Sequence, residues 1–151
     1  MNAPSVAGTG YRFCATVTPE DLEQERGGLN EGILVRLEDT GAPEDGLPAA
    51  WAAARVKAPI GSHNGSDNAL LHVSLNPGAA LDEHALANAE AIYYVAAGHG
   101  VAADADGTSE IVEDSFVFVP RGTPHALRNT GDAPLEMYVV LTGAGSLAAA
   151  A

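Results

Sequence analysis

Five histidines, one cysteine and the adjacent pair Tyr93 and Tyr94 are the side chains of this 151-residue chain best suited to ligating a metal or moving a proton. Cys14 has no CxxC or Cys/His partner in sequence and no second cysteine to bridge, so it reads as a small buried hydrophobe. His125 closes a Pro120-x-Gly122-x-x-His turn, in which the proline and glycine set the backbone that presents the imidazole. A polar ring in such a turn is costly inside a fold without a use, so His125 is expected to line a pocket. His72 alternates with Leu71, Val73 and Leu75 and is expected to face away from them, toward a dimer partner. His63 and His99 lie in glycine-containing turns and are expected to be solvated. Tyr93 and Tyr94 must point to opposite faces of one strand, so one lines the interior and the other packs outside.

The elements that must position these groups are mostly strands. After Ala69 short apolar stretches alternate with turn residues: 71–75 before Asn76-Pro77-Gly78, 92–97 before Gly98-His99-Gly100, a hairpin turn at 104–107, then 115–119, 126–129 and 135–141. That spacing is the pattern of an antiparallel sandwich or barrel. Upstream, residues 32–37 and 52–57 read as two further strands, while 41–48 and 61–68 read as loops. One short helix is expected over 19–26, with Thr18 as cap, Pro19 in the first turn and Glu20 and Asp21 at its positive end. Phe116 and Phe118 share a face and are expected in the core, and Asn129 is expected to hydrogen-bond at a turn or strand end. The Gly/Ala/Ser-rich stretch 144–151 reads as a flexible tail.

Composition narrows the function. With 46% apolar residues and no apolar run long enough to span a bilayer, the chain is expected to form one domain. Residues 1–66 form an N-terminal extension with extra strands, 67–143 the barrel and 144–151 the tail. Seven basic against 20 acidic residues give a formal charge of -13, which repels phosphate backbones and anionic lipid heads and argues against nucleic-acid and membrane partners. The first ten residues lack the basic start and apolar core of a signal peptide, so a cytoplasmic location is expected. The extra strands leave sheet edges that a homodimer would cover.

The segment Pro120-Arg121-Gly122-Thr123-Pro124-His125-Ala126-Leu127-Arg128-Asn129 resembles the second motif of the cupin superfamily, Gly, five residues, Pro-x-Gly-x-x-His and three residues before Asn. Four of the five specified positions match; Asp114, or its neighbour Glu113, stands where the first glycine is usual. Gly78, five residues and His84 resemble the start of the first motif, and Tyr94-Val95 followed by Gly98 its end. The resemblance covers about half the chain. It implies an all-β fold, a small antiparallel jelly-roll β-barrel, commonly dimeric, with a ligand pocket inside.

For the metal-binding members of that family the resemblance implies a His-x-His pair, a glutamate and a third histidine. His84 and His125 fall on the first and last positions, but Leu86 occupies the second histidine's place. Counting from His84 puts the carboxylate position on Glu90; counting back from Gly98 puts it on Ala91. With Glu90 turned inward by a bulge after the 86–89 turn, His84, Glu90 and His125 would form a two-His-one-carboxylate set, suited to Fe(II) and compatible with Zn(II), Mn(II) or Ni(II). With Glu90 outward, two histidines alone hold a metal poorly.

Two function classes follow. The first is a divalent-metal-dependent cupin enzyme of the dioxygenase, isomerase, lyase or polyketide-cyclase type, with Glu90, Tyr93 or Tyr94 moving a proton. The second is a metal-free module that binds or senses a small organic molecule, favoured by the leucine at position 86. An apolar pocket with a few polar groups suits such a ligand in either case.

Overall fold

The structure is a computed structural model and describes residues 31–151. The helix expected over 19–26 and Cys14 lie outside the described residues. The chain divides into two compact units, Met1–Thr40 and Gly41–Ala151. In the first, residues 32–37 do not form the expected strand. Leu37–Asp39 is a 3-10 helix closed by its own neighbours, Asp39 N–H donating to the Arg36 carbonyl and Thr40 N–H to that of Leu37, so the local turn takes the groups a strand would need.

The second unit holds nine strands in two antiparallel sheets: β1 (Arg55–Ile60), β2 (Ala69–Leu75), β3 (Ala80–His84), β4 (Glu90–Ala97), β5 (Gly100–Asp104), β6 (Gly107–Ile111), β7 (Phe116–Val119), β8 (His125–Asn129) and β9 (Leu135–Thr142). One sheet has the order β1-β2-β9-β4-β7 and the other β3-β8-β5-β6. No ladder joins the two sheets into a closed barrel among the described residues. The expected strand at 52–57 begins later, at Arg55, because 52–54 complete a turn that follows the 3-10 helix Ala49–Trp51. Strand β1 is an edge and carries Pro59 within a register shift, where a missing N–H does least harm.

Period-2 alternation fixes the core. Leu71, Val73 and Leu75 of β2, Met137, Val139 and Leu141 of β9, and Ala91, Tyr93 and Val95 of β4 are all buried, and Leu81, Leu127 and Ile111 of the other sheet join the same cluster. Each large side chain removed from water contributes about 1.5–3 kcal/mol. Trp51, preceding β1, is wholly buried among them.

Two expectations fail here for physical reasons. Phe116 and Phe118 are 71% and 57% exposed. Strand β7 is apolar on both faces, and its register with β4 pairs Val119 with Ala91 and Val117 with Tyr93, which turns the valines inward and the phenylalanines to the outer face beside Ile92 and Tyr94. The residues expected to form a flexible tail are also packed. Leu147–Ala150 is the α-helix of the described residues, labelled α1, with Leu147 and Ala150 buried. Ser146 Oγ accepts from Ala149 N–H, and Asn88 donates from its backbone to the Ala150 carbonyl and from Nδ2 to those of Ala149 and Ala151. The carbonyls left over at a helix C-terminus are thereby satisfied. No helix among the described residues is long and apolar enough to cross a membrane.

Candidate functional site

A bulge in β3 makes the site. Leu81 pairs with Leu127 and His84 with His125, so three steps on β3 oppose two on β8. Regular alternation from Leu81 would turn Glu83 inward and His84 out; the extra residue reverses this and sets His84 against His125. The bulge thus lies before the 86–89 turn, not after it, and it acts on His84, not on Glu90.

On β8, His125 is delivered by the Pro120–His125 turn. Gly122 adopts φ +77, which a side chain would strain, and its N–H donates to the Leu86 carbonyl, tying the turn to the loop after β3. The first glycine of the motif is replaced by Asp114, and that residue has φ +69, the same left-handed conformation. Aspartate tolerates it better than most residues. Its carboxylate also accepts a 2.6 Å hydrogen bond from Tyr94.

The two imidazole rings lie 4.5 Å apart between centroids, tilted by 46°. His84 Nδ1 is 2.7 Å from the Asp82 carbonyl and His125 Nδ1 is 2.9 Å from that of Thr123. A carbonyl only accepts, so both Nδ1 atoms carry the proton and both Nε2 atoms present a lone pair. Trp51 Nε1–H donates to His84 Nε2 at 2.9 Å, and the Tyr93 hydroxyl donates to His125 Nε2 at 2.8 Å. Burial pushes the Tyr93 hydroxyl well above the usual phenol range. Burial also lowers His125, the nearby His84 adding to the effect and the Thr123 hydrogen bond opposing it.

A depressed histidine stabilises the fold only while it is neutral. Its contribution is complete above the unfolded-state value of about 6.5 and is lost as pH falls through the lower folded value. Wild type should therefore lose stability relative to His125→Gln as pH drops below about 6.5, measured as the difference in urea midpoints. A wild-type advantage over the variant that grows on acidification would contradict this.

The other expected site residues are placed elsewhere. Glu90 is exposed at the start of β4 opposite Thr142, and the inward position beside it is Ala91, so the trio His84, Glu90 and His125 does not assemble. Glu90 consequently reaches no group at the site to act as an acid or base either. Tyr94 points to the outer face, where Asp114 raises its hydroxyl chiefly through their hydrogen bond. Leu86 is buried in the core. His72 faces outward from its strand and pairs with Glu136 at 2.9 Å, and His63 and His99 are exposed. Trp51 is the site residue that the sequence did not disclose; it sits in an alanine-rich stretch with no periodicity, and its being the chain's one tryptophan was the only signal.

A divalent ion held by the protein needs three or four side-chain donors. Among the described residues no three His, Cys, Asp or Glu side chains converge to hold one. The two imidazole lone pairs present are already taken by Trp51 and Tyr93. The donor set does not fit a resident metal of the expected kind.

His125 also lines a cleft of about 680 Å3 whose walls come from β5, β6, β7 and β8, β6 and β7 each being an edge of its own sheet. Its walls include Ala102, Ile111, Val119 and Leu127, with Thr123 beside the histidine.

Two sheets of this order, with a histidine from each motif meeting between them, define a cupin. Residues 71–141 match the family described as the Cupin domain, so this stretch of the chain is a cupin domain. No curated protein sequence matches the chain. Among solved structures it is similar to the polyketide cyclase RemF from Streptomyces resistomycificus, with TM-score 0.62, 22% identity, and coverage of 72% of this chain and 77% of that one. It is also similar to a predicted oxalate decarboxylase from Thermotoga maritima, with TM-score 0.59, 21% identity, and coverage of 73% and 98%. A sugar phosphate isomerase from Silicibacter pomeroyi gives TM-score 0.59 and 24% identity over 72% and 74%. At these identities the likeness is one of fold.

Proposed function

We propose that this cupin binds a small organic molecule in the cleft beside His125, without dependence on a divalent metal held by its own side chains. One observation carries the reading: the lone pairs that would ligate a metal are satisfied inside the fold by Trp51 and Tyr93, and Glu90, Ala91 and Leu86 supply no third donor. In this reading His125 and the hydroxyl of Tyr93 behind it form the polar end of a largely apolar site. His125 Nε2 accepts a hydrogen bond or a proton from the ligand, and Tyr93 gives up or shares its contact there. Thr123 and Asp82, through their carbonyls, hold the tautomers that keep both Nε2 atoms as acceptors.

The 4.5 Å approach of the two imidazoles favours a second reading, a metal-dependent enzyme of the dioxygenase, isomerase, lyase or polyketide-cyclase type. There Trp51 and Tyr93 would have to yield both lone pairs, and ligand or solvent oxygens would complete the coordination. Elemental analysis of untagged protein, followed by titration with Fe(II), Zn(II), Mn(II) and Ni(II), separates the two. The expected result is no stoichiometric binding at micromolar metal. Stoichiometric metal that His125→Ala abolishes would establish the metal-dependent reading in its place.

A further inference from the structure

The charge of the cleft walls selects among ligands. Among the described residues no lysine or arginine lines it; Arg121 and Arg128, which flank lining residues in sequence, are exposed and are not among the walls. Asp104, Asp106 and Glu110 do line it. The Asp106 N–H is spent on Asp104 Oδ1, so this backbone donor is not offered to an incoming anion. The chain's formal charge of -13 adds a field of the same sign. At the inner end, His125 Nε2 is an acceptor, because the Nδ1 proton is committed to Thr123, and a ligand O–H reaches it by displacing the Tyr93 hydroxyl that donates to it. A carboxylate or phosphate ester would meet carboxylates at the rim and a lone pair at the base, with no cation to offset its desolvation. Walls built from Val119, Leu127 and Ala102, with Phe116 and Phe118 exposed at the β7 edge, instead offer apolar and aromatic surface.

We propose that the ligand of this cleft is a neutral hydroxylated aromatic molecule whose O–H faces His125, and that the acidic rim rejects anionic analogues of the same size. The inference rests on the reading of the cleft as the ligand site and adds the class of ligand.

Three probes sharing one ring system test it by isothermal titration calorimetry on the full chain: 2-naphthol, 2-methoxynaphthalene and 2-naphthoate. 2-Naphthol should bind most tightly. Loss of the donor in 2-methoxynaphthalene should weaken binding about tenfold. 2-Naphthoate should bind at least about tenfold more weakly than 2-naphthol at low salt. Replacing Asp104 and Glu110 together, as Asp104→Asn and Glu110→Gln, should narrow the gap between 2-naphthol and 2-naphthoate. Naphthoate binding as tightly as naphthol, or a gap unmoved by the double substitution, overturns the charge selection and leaves the cleft as the ligand site. Binding of the methoxy compound equal to that of naphthol overturns the donor requirement alone. If none of the three binds, the aromatic ligand class is overturned, while the reading of the cleft as the site of a small organic molecule is judged by the metal titration above.

Discussion

Trp51→Ala should lower the stability of the fold by about 3–5 kcal/mol, the range for removing a large aromatic side chain from a core. Trp51 is wholly buried, packs against Tyr93 at 6.5 Å between ring centroids and meets the edge of His84 at 5.8 Å. Its removal opens a void beside Tyr93 and His84 and leaves His84 Nε2 without its donor. Trp51→Phe retains most of the volume and loses only the N–H, so its cost should be the smaller of the two, near the 0.5–1.5 kcal/mol of a net hydrogen bond plus a modest packing loss. Urea unfolding of both variants against wild type provides the measurement. An alanine variant within about 1 kcal/mol of wild type would mean that the tryptophan is not held in the core as described.

The second large effect should come from Asn129→Ala. Asn129 is 1% exposed, and its Nδ2 donates to the Leu75 carbonyl at 2.9 Å and the Ala133 carbonyl at 2.8 Å, while Oδ1 accepts from Gly131 N–H at 2.8 Å. The amide thus joins the end of β2, the end of β8 and the turn that leads into β9. Alanine removes the partner of the buried Leu75 carbonyl, worth roughly 1–3 kcal/mol, and of two half-buried groups at the low end of that range, for a loss of at least about 2 kcal/mol. Asn129→Asp should be no milder, because a carboxylate would face two carbonyl oxygens that it cannot donate to. A difference in urea midpoint shows the loss; an aspartate variant as stable as wild type would contradict the assigned orientation of the amide.

Strand β2 was legible because Leu71, Val73 and Leu75 alternate with His72 and Ser74, and its inward set is the one the period predicts. Strand β7 was not. Phe116-Val117-Phe118-Val119 is apolar at every position, so only the ladder to β4, a long-range fact, decides which face is buried. The same limit governs the site. Motif spacing located His84 and His125 and left the carboxylate position split between Glu90 and Ala91. Pairing of β4 with β9 decides that question, with Ala91 opposite buried Leu141 and Glu90 opposite Thr142. Trp51 could not be found by pattern at all, since a single residue in a 3-10 helix has no periodicity to betray its direction. Asp114 was visible as a departure from the motif, and the departure proves to be chemical only: the backbone keeps the conformation that glycine usually supplies.

Strand β3 carries one residue more than its partner needs between the Leu81 and His84 pairings, and that surplus is stored as the bulge. It makes the inward address of His84 a matter of chain length as well as residue type. A strand shortened by one residue there would run flush with β8 and still set Leu81 and His84 on one face, two positions apart. The slack next to the site is therefore a place where the chain can lose a residue while its histidine pair stays together.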